Sequence, residues 1–249
     1  MKIIQIPQNT QEWHDFRRGK ITGTKSAGCL SLSRKSKDGS TVGMGWWEML
    51  AERLTGNDEA DISDNAMKRG SQLEGDCAEI TVRRLGLENP NFEPGIWQSS
   101  ENERLILSPD CYENVEFPTW AIECKSLGSA KHLQAIYRAL EYTHAGYELG
   151  RFSAIATAEL KGQIDLIPQE YREQALDYFI VNPHLEVLYF TLYDPRFNDS
   201  RLAHWVFTIM RADIEDNLIE LGNAQLLTID EHDLAEAFIK KELGGIVSD

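Results

Sequence analysis

The residues best suited to chemistry in this chain are Asp110, then, after twelve intervening positions, Glu123 and Lys125 with Cys124 between them. Two carboxylates beside a lysine can hold Mg²⁺ or Mn²⁺ through hard oxygen ligands. The lysine can then orient or deprotonate an attacking water. The same triplet on a surface strand would be an ordinary salt bridge. Two further polar residues stand at apolar boundaries. Glu74 lies beside the apolar stripe of a helix predicted over residues 68–85, either as a boundary residue or pointing into a site where that helix meets a sheet. Gln174 interrupts an apolar stripe formed with Tyr171, Ala175 and Tyr178. A buried glutamine there needs a partner.

The elements that must position these groups follow from hydrophobic period and turn signals. Thr119 to Lys125 alternates with period two, placing Trp120, Ile122 and Cys124 on one face and Ala121, Glu123 and Lys125 on the other, as in a half-buried strand. Leu105 to Leu107 reads as a strand ending at Ser108-Pro109-Asp110, and its pairing with the first would bring Asp110 to the carboxylate–lysine pair. Upstream, Lys2 to Ile6 suits a strand, and Asn9 or Thr10 caps a helix running to about Arg18 and ending at Gly19. Ile21-Thr22-Gly23-Thr24 reads as the opening of a second helix. Its hydroxyls and N–H groups, with Arg17 nearby, make either an anion site or plain N-caps.

Ser31 to Thr41 is a basic Ser/Gly loop in which Arg34, Lys35 and Lys37 are either solvated or set against a phosphate backbone. Met44 to Leu54 reads as an amphipathic helix, 57–65 as an acidic linker, and Lys68 to Leu85 as a helix with Leu73, Cys77, Ile80 and Arg84/Leu85 as its stripe. Further on come a helix from Ser129 to about Glu141, an Ala/Gly-rich stretch, and a helix from Pro168 to about Phe179. Strands over 185–193 and 202–210 meet through Asp194-Pro195-Arg196. An acidic helical tail follows from Ala212, with Asp230 capping a last helix to Glu242.

The chain has 249 residues, 42% of them hydrophobic and 26% charged, as expected of a globular protein with one sizeable core. No apolar run approaches a membrane span and no signal peptide opens the sequence, so a cytoplasmic protein is expected. Its four cysteines share no metal-knuckle spacing and indicate no disulfide framework. A net charge of −15 argues superficially against nucleic acid, but its distribution is uneven. Residues 1–50 hold eight Lys/Arg against four Asp/Glu, whereas residues 210–249 hold three against ten. A basic end and a repulsive acidic end suit a protein that meets DNA on one surface.

The Pro-Asp, Glu-Cys-Lys pattern resembles the PD-(D/E)xK nuclease signature. Read in order over residues 10–200, further segments are similar to the YqaJ-like viral recombinase family of alkaline 5′→3′ exonucleases. They are Trp13-His14-Asp15-Phe16-Arg17-Arg18-Gly19-Lys20-Ile21-Thr22, Arg69-Gly70-Ser71-Gln72-Leu73-Glu74, Ser108-Pro109-Asp110, Glu123-Cys124-Lys125, Gln174 and Tyr193-Asp194-Pro195-Arg196.

The resemblance implies an α/β, restriction-endonuclease-like fold: one nuclease domain over 1–249 with a central mixed sheet flanked by helices. It implies Asp110, Glu123 and the Cys124 carbonyl as metal ligands, with Lys125 positioning the nucleophilic water. Glu74 would serve a second ion, and Gln174 would be the supporting glutamine. Arg17, Thr24 and Ser108 fall where the family grips a 5′-terminal phosphate; Thr24 replaces a serine. Arg34 matches a DNA contact and Lys131 stands where an arginine is expected. The interval from Lys125 to Gln174 is longer than in the family, so 140–165 is expected to be a lid or a subunit contact. The implied activity is Mg²⁺-dependent resection of double-stranded DNA ends, with Mn²⁺ able to substitute and two ions per site. The implied partners are a single-strand annealing protein and two further copies of the chain in a trimeric ring. An endonuclease, an iron–sulfur nuclease (disfavoured, since no cysteine follows Cys124) and an idle DNA-end-binding protein are the alternatives.

Overall fold

The computed structural model describes residues 1–8, 10–30, 64–93, 95–143 and 163–242, with the backbone alone for 64–72 and 141–143. Its strands are β1 (Lys2–Ile4), β2 (Ile21–Thr22), β3 (Pro90–Asn91), β4 (Ile96–Gln98), β5 (Leu105–Leu107), β6 (Cys111–Glu113), β7 (Trp120–Lys125), β8 (Val187–Tyr193) and β9 (His204–Met210). Its α-helices are α1 (Gln11–Arg17), α2 (Ser26–Cys29), α3 (Asp64–Leu85), α4 (Ser129–Thr143), α5 (Arg172–Val181), α6 (Ser200–Ala203) and α7 (Glu215–Glu242). The α/β class is as expected, but the strands divide into two mixed sheets. One has the order β1-β4-β5-β2 and the other β3-β6-β7-β8-β9.

This division corrects one expectation. Strands β5 and β7 do not pair; they lie in different sheets. The short strand β6 intervenes and runs antiparallel to β7 with Cys111 opposite Ile122. Asp110 therefore reaches Glu123 from the loop joining the two sheets. β7 is flanked by β6 and by the parallel strand β8, which places Glu123 beside Phe190. It is buried almost throughout, more deeply than a half-buried strand.

The alternation along β7 holds. Trp120, Ile122 and Cys124 pack with Cys77 and Ala78 of α3. Ala121 joins the main core on the opposite face, with Leu188, Phe190 and Leu192 of β8 and Ala175, Tyr178 and Phe179 of α5. The helix over α3 buries Cys77, Ala78 and Thr81, while Leu85 is exposed, so the stripe is rotated from the expected one. Polar Thr81 is buried because its hydroxyl bonds the Cys77 carbonyl at 2.8 Å and His204 Nε2 at 2.8 Å. All four cysteines are buried and free.

Two other expectations change. Ile21 and Thr22 form β2, parallel to β5, and the helix after them is a single turn starting at Ser26. Asp230 lies inside a continuous α7, not at the cap of a separate helix. Thr10 does cap α1, accepting from the Trp13 N–H at 3.2 Å, and Gly19 and Gly86 end α1 and α3 with φ of 68° and 65°. The expected 44–54 helix, Arg34, Lys35 and Lys37, and most of the 140–165 segment lie outside the described residues. Among the described residues no helix is long and apolar enough to cross a membrane.

Candidate active site

Asp110, Glu123, Cys124 and Lys125 line one cleft of ≈ 440 Å³ together with Glu74, Gln174, Tyr171, Tyr178, Arg17, Thr24 and Ser108. Five parts of the chain build it. β7 presents Glu123 and Lys125, the β5–β6 loop presents Ser108 and Asp110, α3 presents Glu74, and α5 with the turn before it presents Tyr171, Gln174 and Tyr178. The N-terminal segment closes it with Arg17 of α1 and Thr24 of the turn after β2.

Glu123 is the anchor of this set, 2% exposed and bonded at both oxygens. Gln174 Nε2 donates to Oε1 at 2.6 Å, and the Tyr178 hydroxyl donates to Oε2. The Lys125 ammonium pairs with Oε1 and lies 5.3 Å from the centre of the Tyr171 ring. The opposing carboxylate, Asp110, accepts from the Cys124 N–H through Oδ2 at 2.7 Å. That bond makes β7 itself the ruler between the two acids.

The electrostatics are those of acids crowded together out of water. Burial, then the charges of Glu123 and Glu74, push the Asp110 carboxyl well above its usual range despite Lys125. Glu74 is also raised, by burial and by Glu123, against the pull of Lys125. Burial works against the Lys125 ammonium, but Glu123, Asp110 and Glu74 outweigh it and raise its pKa. Tyr178 is raised well above an ordinary phenol by burial and by the two acids, which keeps its hydroxyl a donor. A divalent cation would relieve this repulsion, and an oxygen-only donor set fits Mg²⁺ or Mn²⁺. Among the described residues no three His, Cys, Asp or Glu side chains converge closely enough to cage an ion alone. The set would need a backbone carbonyl such as that of Cys124, and water, to be complete.

At the other end of the cleft, the Arg17 guanidinium stacks 3.8 Å over the Trp13 ring and donates to Ser108 Oγ at 3.2 Å. Thr24 Oγ1 lies 3.1 Å from Thr22 Oγ1. These groups make a cationic, hydroxyl-lined end without help from a helix terminus, since α2 is only one turn long. Lys131 is placed elsewhere. It is exposed, pairs with exposed Glu170 at 3.1 Å, and lines a separate groove with Gln134 and Arg138.

Sequence reasoning assigned no role to Tyr178, although its place one helical turn beyond Gln174 on the same stripe was the available signal. Trp13, the platform under Arg17, was likewise unassigned.

Solved structures share this fold of mixed sheets and helices. An alkaline exonuclease from Laribacter hongkongensis, LHK-Exo, superposes with a TM-score of 0.69 at 19% identity, over 95% of this chain and 100% of that one. Its complex with dAMP gives 0.68 at 21%, with the same coverage. No curated protein matches the chain. The model of the YqaJ-like viral recombinase domain matches residues 12–182, and the chain belongs to that family.

Proposed function

We propose that the protein is a Mg²⁺-dependent exonuclease that resects double-stranded DNA from 5′ ends and leaves 3′ single strands for annealing. The observation that carries this reading is the joining, in one cleft, of the carboxylate–lysine set with Arg17, Thr24 and Ser108. Family membership supports a DNA nuclease, and the solved LHK-Exo complex holds dAMP, a nucleoside monophosphate.

Asp110, Glu123 and the Cys124 carbonyl would hold one ion, with Glu74 toward a second. When bound, such ions supply charge neutralisation at the phosphate and lower the pKa of water. The remaining work falls to the chain. Gln174 and Tyr178 hold both oxygens of Glu123, and the Cys124 N–H holds Asp110. Lys125 donates a hydrogen bond to the attacking water or to a phosphate oxygen. Arg17, Ser108 and Thr24 receive the terminal phosphate through charge-assisted bonds, which a 5′-hydroxyl cannot accept in the same way. The water oxygen bonds to phosphorus and gives up a proton, the P–O3′ bond breaks, and O3′ departs with its electron pair and takes up a proton, so that none is gained or lost overall. The shortened strand then carries a new 5′-phosphate.

The test uses linear duplex DNA with a 5′-phosphate or a 5′-hydroxyl, and a closed circle, in Mg²⁺. Rapid stepwise loss from phosphorylated 5′ ends with an intact circle is expected. Nicking of the circle would make the protein an endonuclease, and no cleavage at all would leave an idle end-binding protein. Arg17→Ala should slow digestion of phosphorylated ends about tenfold, the size of a lost hydrogen bond to a charged group, and scarcely change hydroxyl ends. The expected assembly is a homotrimer working with a single-strand annealing protein; light scattering that counts one chain per particle would refute the trimer.

A further inference from the structure

The Thr22–Thr24 turn is fastened from behind by a polar cluster with no access to solvent. Ser26, Asp177 and Gln225 are each 0% exposed. They come from three packed elements, α2, α5 and α7. Gln225 Nε2 donates to Asp177 Oδ1 at 2.7 Å and lies within bonding distance of Ser26 Oγ at 3.2 Å. Ser26 Oγ in turn donates to the Thr22 carbonyl at 3.1 Å, and Thr22 Oγ1 meets Thr24 Oγ1 at 3.1 Å. A continuous chain of bonds therefore runs from the C-terminal helix to the hydroxyl that faces the cleft.

The cluster is costly, which argues that it is more than packing. Among the described residues, buried Asp177 Oδ2 and Gln225 Oε1 have no hydrogen-bond partner. Each such orphan disfavours the folded state, and an apolar trio of the same shape would avoid that cost. The turn it holds is also tightly seated. A Cβ at Gly23 would lie 3.2 Å from Gln174 Cγ and 3.8 Å from Asp177 Oδ2. A displacement of the turn thus moves Thr24.

We infer that Gln225, with Asp177 and Ser26, forms a positioning device on the C-terminal helix that sets Thr24 for recognition of the strand's 5′-phosphate. The inference rests on the proposed end pocket and adds to it residues that touch neither DNA nor the reacting atoms. It also makes α7 part of end selection, although that helix does not line the cleft.

The test compares cleavage of 5′-phosphorylated and 5′-hydroxyl duplexes by the full chain, its Gln225→Leu variant and its Ser26→Ala variant, each checked by thermal unfolding. In the unsubstituted protein the phosphorylated end should be preferred. Gln225→Leu should reduce that preference about tenfold, the effect of about 1.4 kcal/mol, through a raised KM for phosphorylated ends at an unchanged rate on hydroxyl ends. Ser26→Ala, which removes the link to Thr22 and the acceptor for Gln225, should act in the same direction and keeps the test open if Gln225→Leu fails to fold. Equal loss on both ends, or an unchanged preference in both folded variants, would overturn the inference while leaving the exonuclease reading intact. An unsubstituted protein without any preference for phosphorylated ends would overturn the pocket itself, and the positioning role with it.

Discussion

At the scale of residues, the site is defined by what holds Glu123. A carboxylate with two donors and an ammonium on its oxygens has little freedom to rotate, and Tyr178 supplies the donor on the side away from Lys125. Tyr178→Phe should lower the cleavage rate about tenfold, in line with a lost hydrogen bond to a charged group, and raise the Mg²⁺ concentration needed for half-maximal rate. An unchanged metal requirement would show that Tyr178 only packs. Lys125→Ala should cost at least about a hundredfold in rate while the protein stays folded. Asp110 allows a test of opposite sign. Its carboxyl is pushed up by burial and by neighbouring acids, so its ionised form opposes folding. Asp110→Asn keeps an acceptor for the Cys124 N–H and removes that repulsion. Calorimetry at neutral pH in metal-free buffer should therefore find a higher melting temperature together with lost activity.

At the scale of elements, α5 is the hinge between chemistry and stability. Gln174 and Tyr178 face Glu123, while Asp177 faces α7. Burial pushes Asp177 up from 3.8 to about 7, with Gln225 and Ser26 opposing it. Since the folded pKa is above the unfolded one, the folded state binds more protons between those values. Stability is then fullest below about 3.8, falls as pH rises through the window up to about 7, and is flat above it for this group. Asp177→Asn retains the acceptor for Gln225 and should flatten that fall. Urea midpoints at pH 5 and pH 8 should lie closer together in the variant than in the parent; an equal slope would mean that Asp177 is not the titrating group. His204 works from the other side. Burial and Arg84 hold it down to about 4, so its share of stability is present above 6.5 and is lost as pH falls toward 4.

At the scale of the whole molecule, a chain of net charge −15 must approach a polyanion. The cleft resolves part of this conflict by burying Glu123 against Gln174, Tyr178 and Lys125 and presenting Arg17 at the end toward which the phosphate is assigned. DNA association measured by anisotropy, with the ends blocked against cleavage, should weaken steeply between about 50 and 200 mM salt. A flat response would count against a basic DNA path. Lys131, paired to Glu170 away from the cleft, is not part of the end pocket, and its substitution should leave discrimination between 5′ ends unchanged.

Residue type and short-range pattern were enough for the parts that depend on neighbours in sequence. The period of two along 119–125 set which side chains of β7 share a face, because a strand alternates wherever it lies. Thr10 and the two glycines marked helix ends, because caps are local. The order of Asp110, Glu123, Lys125 and Gln174 pointed to one site. Pairing was not local. β5 and β7 have similar apolar character, so nothing in either segment said that they belong to different sheets, with a three-residue strand between them carrying Asp110 to its place. Ile21 and Thr22 became a strand because β5 offered a parallel edge. Tyr178, Asp177 and Gln225 are unremarkable letters in helical stripes. Only tertiary packing decided that one meets Glu123 and the others meet Ser26, because a buried polar group takes its role from whichever donor or acceptor the fold brings to it.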